Sequence, residues 1–212
     1  MIKNILFDLD GTLADSEELI IRSFQHIYKI FKGREEEESV LRSTFGGTLQ
    51  DVITANFDEP YETVVEEYRN YHYANFEKYM KLFNGAEELV RLLYAKGYKL
   101  GIVTSRLEYT TMKILHMHHI REYFSCVVTA DMCENHKPHP EPMLKCLEGL
   151  NAKREETIYI GDTEFDIECA RNSGVKSILV KWNEYDHLDD EIKADYEISG
   201  YDEIFEIIND EI

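Results

Sequence analysis

The chain has 212 residues, 43% of them hydrophobic and 31% charged, with a formal net charge of −19. This is ordinary globular composition, long enough for one sizeable core plus an insert, and it excludes fibrous and disordered classes. Nucleic acids and anionic membranes are polyanions bound through basic surface, so neither is expected as a partner, and no apolar run reaches the roughly 18 to 20 residues of a membrane span.

The first predicted strand, at about 4–8, carries the run Ile5-Leu6-Phe7 and ends in Asp8-Leu9-Asp10-Gly11-Thr12. Two aspartates two residues apart at a strand's carboxyl end can divide phosphoryl transfer between them. One attacks phosphorus and the other moves a proton on and off oxygen, while Gly11 and Thr12 permit a sharp turn. Alone, the pattern is shared with calcium loops, which also begin Asp-x-Asp-Gly. No basic and apolar leader precedes the strand, so a cytoplasmic protein is expected.

About 70 residues then separate this strand from a helix near Ala86, too many for a simple crossover and rich in helical period. They are expected to form a separate all-helical cap. Leu19, Ile20, Ser23, Phe24, Ile27 and Phe31 make one stripe; Val64, Val65, Tyr68, Tyr71, His72, Phe76 and Tyr79 make another. Both are read as cap core. Glu35 to Glu38 is either a solvated turn or the acidic first turn of a helix. In the segment Phe45-Gly46-Gly47-Thr48-Leu49-Gln50, the residues Gly46, Gly47 and Thr48 are candidates for contact with a substrate's leaving group, or form a plain turn capping the next helix.

Beyond the insert, helices at about 86–96, 107–118, 140–150 and 164–173 alternate with strands at about 99–104, 125–129, 157–160 and 175–180. The alternation predicts an α/β fold, a Rossmann-like parallel sheet with helices on both faces. Leu100-Gly101-Ile102-Val103 leads into Thr104-Ser105-Arg106, where a hydroxyl and backbone N–H groups suit phosphate oxygens. Lys137-Pro138-His139-Pro140 holds an ammonium in front of prolines that cannot continue a strand and can open a helix. Ile158-Tyr159-Ile160 runs into Gly161-Asp162-Thr163-Glu164-Phe165-Asp166, whose two aspartates, four residues apart, offer hard oxygen ligands to Mg²⁺. All these candidates fall at the carboxyl ends of predicted strands, where open α/β sheets hold ligands.

A short edge strand near 196–198 and a final helix over about 201–208 complete the core. From Glu184 to Ile212 there are 12 acidic residues and one lysine, so this tail carries −11 of the −19 and the rest is only mildly acidic. It is read as a solvated face, leaving Lys137 and Arg106 able to make the mouth locally attractive to phosphate. In the run His116-Met117-His118-His119 only 116 and 119 share a helical face, which favours a solvent-facing helix end over a metal cluster. His136 and His139 flank Lys137, and Trp182 with Tyr185 either packs the start of the tail or marks a contact surface. Cys126, Cys133, Cys146 and Cys169 form no C-x-x-C pair and are read as reduced structural thiols.

Together the aspartate pair, the Thr104-Ser105 segment, Lys137 and the Gly161-to-Asp166 turn resemble the four motifs of the haloacid dehalogenase superfamily, in order and over essentially the whole chain. Lys137 to Pro142 and Gly161 to Ala170 look especially like the phosphoglycolate phosphatase and β-phosphoglucomutase branch. The resemblance implies a core of residues 1–14 and 84–212 with a helical cap of 15–83 hinged at Ala14-Asp15 and Leu82-Phe83-Asn84-Gly85. It implies Asp8 as nucleophile and Asp10 as general acid and base. Thr104, Ser105 and Lys137 would hold the phosphate oxygens. Mg²⁺ would be held by Asp8, the Asp10 carbonyl and Asp162, with Asp166 as ligand or support. The expected activity is hydrolysis of a small phosphorylated metabolite, such as phosphoglycolate, a sugar phosphate or pyrophosphate, by a monomer.

Relatives that cleave carbon–halogen or carbon–phosphorus bonds lack a carboxylate at the position of Asp10, so phosphate esters and anhydrides are favoured. Mutase relatives carry a His where this chain has Ile20 and an Arg in the cap loop, where 45–50 has none and Arg42 lies just upstream. Hydrolysis is therefore expected over the alternative, a β-phosphoglucomutase-like mutase, and over a catalytically retired phosphate-binding regulator.

Overall fold

Asn4–Phe7 is buried at every position and forms the first strand of a parallel sheet in the computed structural model, which describes residues 1–182 and 193–210. In chain order the elements are β1 (Asn4–Phe7), β2 (Ala14–Asp15), α1 (Glu17–Lys32), α2 (Glu38–Arg42), α3 (Leu49–Asn56), α4 (Tyr61–Tyr79), β3 (Lys81–Leu82), α5 (Ala86–Ala95), β4 (Lys99–Val103), α6 (Glu108–Met117), β5 (Phe124–Val128), α7 (Glu141–Leu150), β6 (Thr157–Gly161), α8 (Glu164–Ser173), β7 (Lys176–Val180), β8 (Tyr196–Ile198) and α9 (Glu203–Asp210). The sheet runs β5-β4-β1-β6-β7-β8 with each neighbouring pair parallel. Phe7 stands level with Ile102 on β4 and Ile160 on β6. The chain therefore leaves these three central strands at one level, which brings Asp8, Thr104 and Asp162 to the same edge.

Side chains alternate across the pleat, so each face of the sheet needs its own helices. Ile5, Phe7, Ile102 and Ile160 pack with Leu89, Val90 and Leu93 of α5, Ile114 of α6 and Ile204 of α9. On the other face Leu6, Val103 and Tyr159 pack with Met143, Cys146 and Leu147 of α7 and Cys169 of α8. The thiols are all free. None of the described helices is long and apolar enough to cross a membrane.

Helices α1 to α4 close a third apolar cluster of Ile21, Phe24, Ile27, Tyr28, Leu41, Ile53, Phe57, Val64, Val65 and Tyr68. The buried face of α1 keeps Leu19, Ser23, Phe24 and Ile27 of the predicted stripe and differs at its margins, where Ile21 and Tyr28 are inside while Ile20 and Phe31 are only partly covered. Leu19, Phe76 and Met80 instead join the sheet's own core, where α1 and α4 rest on it. Glu38 opens α2, so the acidic run ends in a helical first turn. The two crossings to these helices pair antiparallel, Ala14 with Leu82 and Asp15 with Lys81.

Trp182 lies over that pair, in ring contact with Phe83 and Tyr201 at 6.0 and 4.6 Å and donating from Nε1 to the Gly11 carbonyl at 3.1 Å. It packs the β1 loop rather than standing out as a contact surface. Tyr185, and the tail at 183–192 and 211–212, lie outside the described residues.

Candidate active site

Asp8 ends β1, its N–H donating to the Ile160 carbonyl at 2.8 Å, and its carboxylate is 6% exposed. Burial, reinforced by Asp166 and Asp10 and opposed by Lys137, pushes Asp8 up to about 7. Gly11 has φ of +74°, and a Cβ there would run into the Asp162 carboxylate. Only glycine lets the β1 loop pass this close to the β6 loop.

Lys137 is the counter-charge. Its Nζ lies 2.7 Å from Asp166 Oδ1 and 3.0 Å from Asp8 Oδ1, with the side chain 1% exposed. Burial alone would lower this lysine, but Asp166 and Asp8 hold it well above the usual range, so it is a fixed cation. The loop that carries it is pinned by Glu141, which accepts from the backbone N–H of Glu134 and of Asn135, both at 2.9 Å.

Asp166 is fully committed to the protein. Oδ1 accepts from Lys137 and from the Tyr159 hydroxyl at 2.8 Å; Oδ2 accepts from the Thr163 hydroxyl at 2.7 Å and from the N–H of Thr163 and Asp162 at 3.0 and 3.3 Å. A carboxylate has about four lone-pair sites, so these donors use its accepting capacity. They also cap α8 and set the turn that presents Asp162. Burial, with Asp166 and Asp8 nearby, pushes Asp162 well above the carboxylate range despite Lys137.

One oxygen from each of Asp8, Asp162 and Asp166 lies within 4.8 Å of the others. Buried carboxylates crowded in this way demand a cation, and an all-oxygen set suits a hard one. Asp8 Oδ1 makes no hydrogen bond of good geometry even to Lys137. The Asp10 side chain is outside the group.

Asp10 is gripped instead by Arg106, from Nε to Oδ2 at 2.8 Å and from Nη2 to Oδ1 at 2.6 Å. Burial would raise Asp10, but Arg106, with a hydrogen bond from Ser16, outweighs it and holds the carboxyl below its ordinary value. Arg106 Nη1 also meets His72 Nε2 at 3.4 Å, and His72 Nδ1 meets the Ser23 hydroxyl at 3.2 Å. Ser23 donates to the Leu19 carbonyl, so Nδ1–H must donate to Ser23, leaving Nε2 as an acceptor for Arg106.

The imidazole is thus neutral, pushed down to about 3 by burial and by Arg106. The unfolded chain takes up a proton near 6.5 while the folded chain resists until about 3, so stability present above pH 6.5 drains away as pH falls toward 3. By pH 5 the loss from His72 is expected to be about 2 kcal/mol. Urea unfolding at pH 7 and pH 5 checks it: His72→Gln should remove that part of the pH dependence, and an unchanged slope would show that His72 does not carry it.

Other predicted residues fall around the same cavity of about 460 Å³, which is bounded by Asp8, Thr104, Lys137 and Asp162 below and by α1, α3 and α4 above. Thr104 Oγ1 accepts from the Arg106 N–H at 3.2 Å. The Ser105 hydroxyl donates to the Gly46 carbonyl at 2.8 Å, tying the sheet's loop to the helical insert. Gly46 has φ of +88°, and a Cβ there would meet Phe165 at 2.7 Å and Thr163 Oγ1 at 2.8 Å. Gly47 and Thr48 also line the cavity. The Thr48 hydroxyl is occupied, accepting from the Asp51 N–H at 3.2 Å and donating to Asp51 Oδ2 at 2.6 Å, as the cap of α3.

His136 lines the cavity, whereas His139 faces an open groove beside it and accepts from the Glu141 N–H. His116 and His119 are exposed and join no metal-ligating group among the described residues. Arg42 is tied to Glu17 and Glu38 at 2.7 and 2.9 Å, so it does not supply the guanidinium missing from the cap loop. Sequence reasoning missed His72 and Arg69, both on α4 and both lining the cavity. A histidine within an apolar stripe and an arginine beside it were the available signals.

A model described as haloacid dehalogenase-like hydrolase matches residues 5–180. Pyrophosphatase PpaX of Halalkalibacterium halodurans is 38% identical over 179 residues, covering 84% of this chain and 83% of that protein. A predicted phosphatase from Clostridium acetobutylicum superposes with a TM-score of 0.85 at 28% identity, over 99% of this chain and 100% of that one. The β-phosphoglucomutase of Clostridium difficile has a TM-score of 0.83 at 21% identity, covering 100% and 97% respectively, and shares the fold.

Proposed function

Because the chain belongs to the haloacid dehalogenase-like hydrolase family, and to its phosphatases, we propose that it hydrolyses a small phosphorylated metabolite through an aspartyl-phosphate on Asp8. The observation that carries this reading is the convergence of Asp8, Thr104, Lys137 and Asp162, from four separate loops, on one wall of a cavity. An Asp8 oxygen forms the new P–O bond as the P–O bond to the leaving group breaks, and a proton from Asp10 neutralises the departing oxygen. Asp10 then takes a proton from water, whose oxygen attacks the phosphorus, freeing phosphate and restoring Asp8. Thr104, the Ser105 N–H and Lys137 hold the remaining phosphate oxygens, where charge gathers in the transition state.

Arg106 bears on both roles of Asp10. Paired as it is, Asp10 is ionised and ready to act as the base; to act as the acid it must first leave the guanidinium and gain a proton. Mg²⁺ fits the crowded carboxylates, with Asp8 and Asp162 as direct ligands, and when bound it would neutralise phosphate charge. Asp166, with its oxygens already occupied, is better suited to positioning Asp162 and Lys137 than to ligation. Residues 15–83 would act as a cap that hinges on the β2–β3 pair and excludes water when closed. The cavity is walled by a single chain, so a monomer suffices.

The test is phosphate release from a panel of phosphoglycolate, hexose phosphates, p-nitrophenyl phosphate and pyrophosphate, in Mg²⁺ and in EDTA. Mg²⁺-dependent release is expected, with at least a 10²-fold loss in EDTA. Isomerised hexose phosphate without free phosphate would establish the mutase instead.

A further inference from the structure

Among the described residues Lys137, Arg106 and Arg69 line the cavity and Arg42 neighbours it, and three of these four cations are already neutralised. Lys137 is held by Asp8 and Asp166, Arg106 by Asp10, and Arg42, beside the cap loop, by Glu17 and Glu38. Arg69 differs. It lines the cavity from α4, and it makes no ion pair or hydrogen bond to any described residue. Its Nε is buried without a partner. A buried N–H left unsatisfied is costly, and a guanidinium is the donor set that matches a carboxylate or a phosphate in a two-point grip.

Its place in the cavity decides which part of a substrate it can meet. The transferring phosphoryl group belongs beside Asp8, Thr104 and Lys137 on the sheet side, so whatever faces α4 is the leaving group. We infer that Arg69 binds a second anionic group on the leaving group, and that the substrates are phosphate esters or anhydrides whose leaving group carries its own phosphate or carboxylate. This deepens, and rests on, the phosphatase reading above. Arg69 is half-buried on the face of α4 that also presents Tyr68, His72 and Tyr73 to the cavity, so the site needs no new element to form.

The test compares the wild type with Arg69→Ala and Arg69→Lys on pyrophosphate, phosphoglycolate and p-nitrophenyl phosphate, whose leaving group has no second acid. The ratio of kcat/KM for pyrophosphate or phosphoglycolate to that for p-nitrophenyl phosphate should fall about 10- to 100-fold in R69A. R69K, which keeps the charge but not the fork, should recover part of it. The larger of the two falls identifies phosphate or carboxylate as the partner. A ratio within twofold of wild type overturns the inference while leaving the phosphatase reading intact.

Calorimetric binding of methylenediphosphonate provides a second readout that needs no turnover. At least a tenfold weaker Kd in R69A supports the inference, and an equal Kd overturns it. Absence of phosphate release by the wild type on every substrate would instead count against the phosphatase reading.

Discussion

Asp8→Asn is expected to lower kcat by at least about 10⁴-fold while making the metal-free protein more stable. The amide has nearly the same shape but carries no negative charge, and its neutral oxygen is too weak a nucleophile to displace the leaving group. The stability gain follows from burial. Asp8 titrates at about 7 in the fold against 3.8 ordinarily, so its stabilising contribution is present below pH 3.8 and is lost as pH rises through 7. Above that pH the ionised group is a burden that asparagine does not carry, on the order of 2 kcal/mol or more in EDTA. Phosphate release and thermal unfolding at pH 8 measure the two effects on the same preparations. Residual activity within tenfold of wild type would remove Asp8 as the nucleophile, and a lower melting temperature would refute the account of its burial.

Lys137→Met is the second large effect, on stability and activity together. Methionine fills similar volume but leaves Asp8 and Asp166 facing each other without a cation, and removing one partner of a buried ion pair costs roughly 3 to 5 kcal/mol. For a chain of this size that lowers the melting temperature by roughly 10 °C. Loss of a fixed positive charge at the phosphate should lower kcat about 10²- to 10³-fold. The double variant K137M/D166N should regain part of the stability, because the two sites are coupled at 2.7 Å, and none of the activity. Additive losses in stability would show that this pair is not what holds the α7 and α8 loops together.

Three of the four core motifs were legible because each stands at the end of an apolar strand, and a parallel sheet brings its strand ends to one edge; Lys137 departs from that expectation, standing nine residues past the end of β5 on the loop before α7. Thr104 and Asp162 reach Asp8 by that rule alone. The cap wall follows no such rule. Periodicity identifies an apolar face of α1 and of α4, but the packing of four short helices decides which residues on its margin turn toward the cavity. Ile20 faces the cavity while its neighbour Ile21 fills the cap core. His72, counted within an apolar stripe, is the acceptor for Arg106, a pairing made across 34 residues of chain. Thr48, by contrast, spends its hydroxyl on the α3 cap, which was the plainer of its two sequence readings. Asp166 was marked as a ligand or a support, and its network of donors favours support.

Trp182 is the only tryptophan in the chain, and it sits on the β1 loop, with its indole N–H on Gly11 and its ring against Phe83 at the end of the second crossing. The molecule thus has a single indole, separable by its red-edge excitation from the chain's 14 tyrosines, at the junction between sheet and helical insert and beside the β1 loop. Movement of either crossing would change what surrounds that one indole, so the hinge motion proposed above is expected to register in its emission, in the unlabelled protein and without altering a residue.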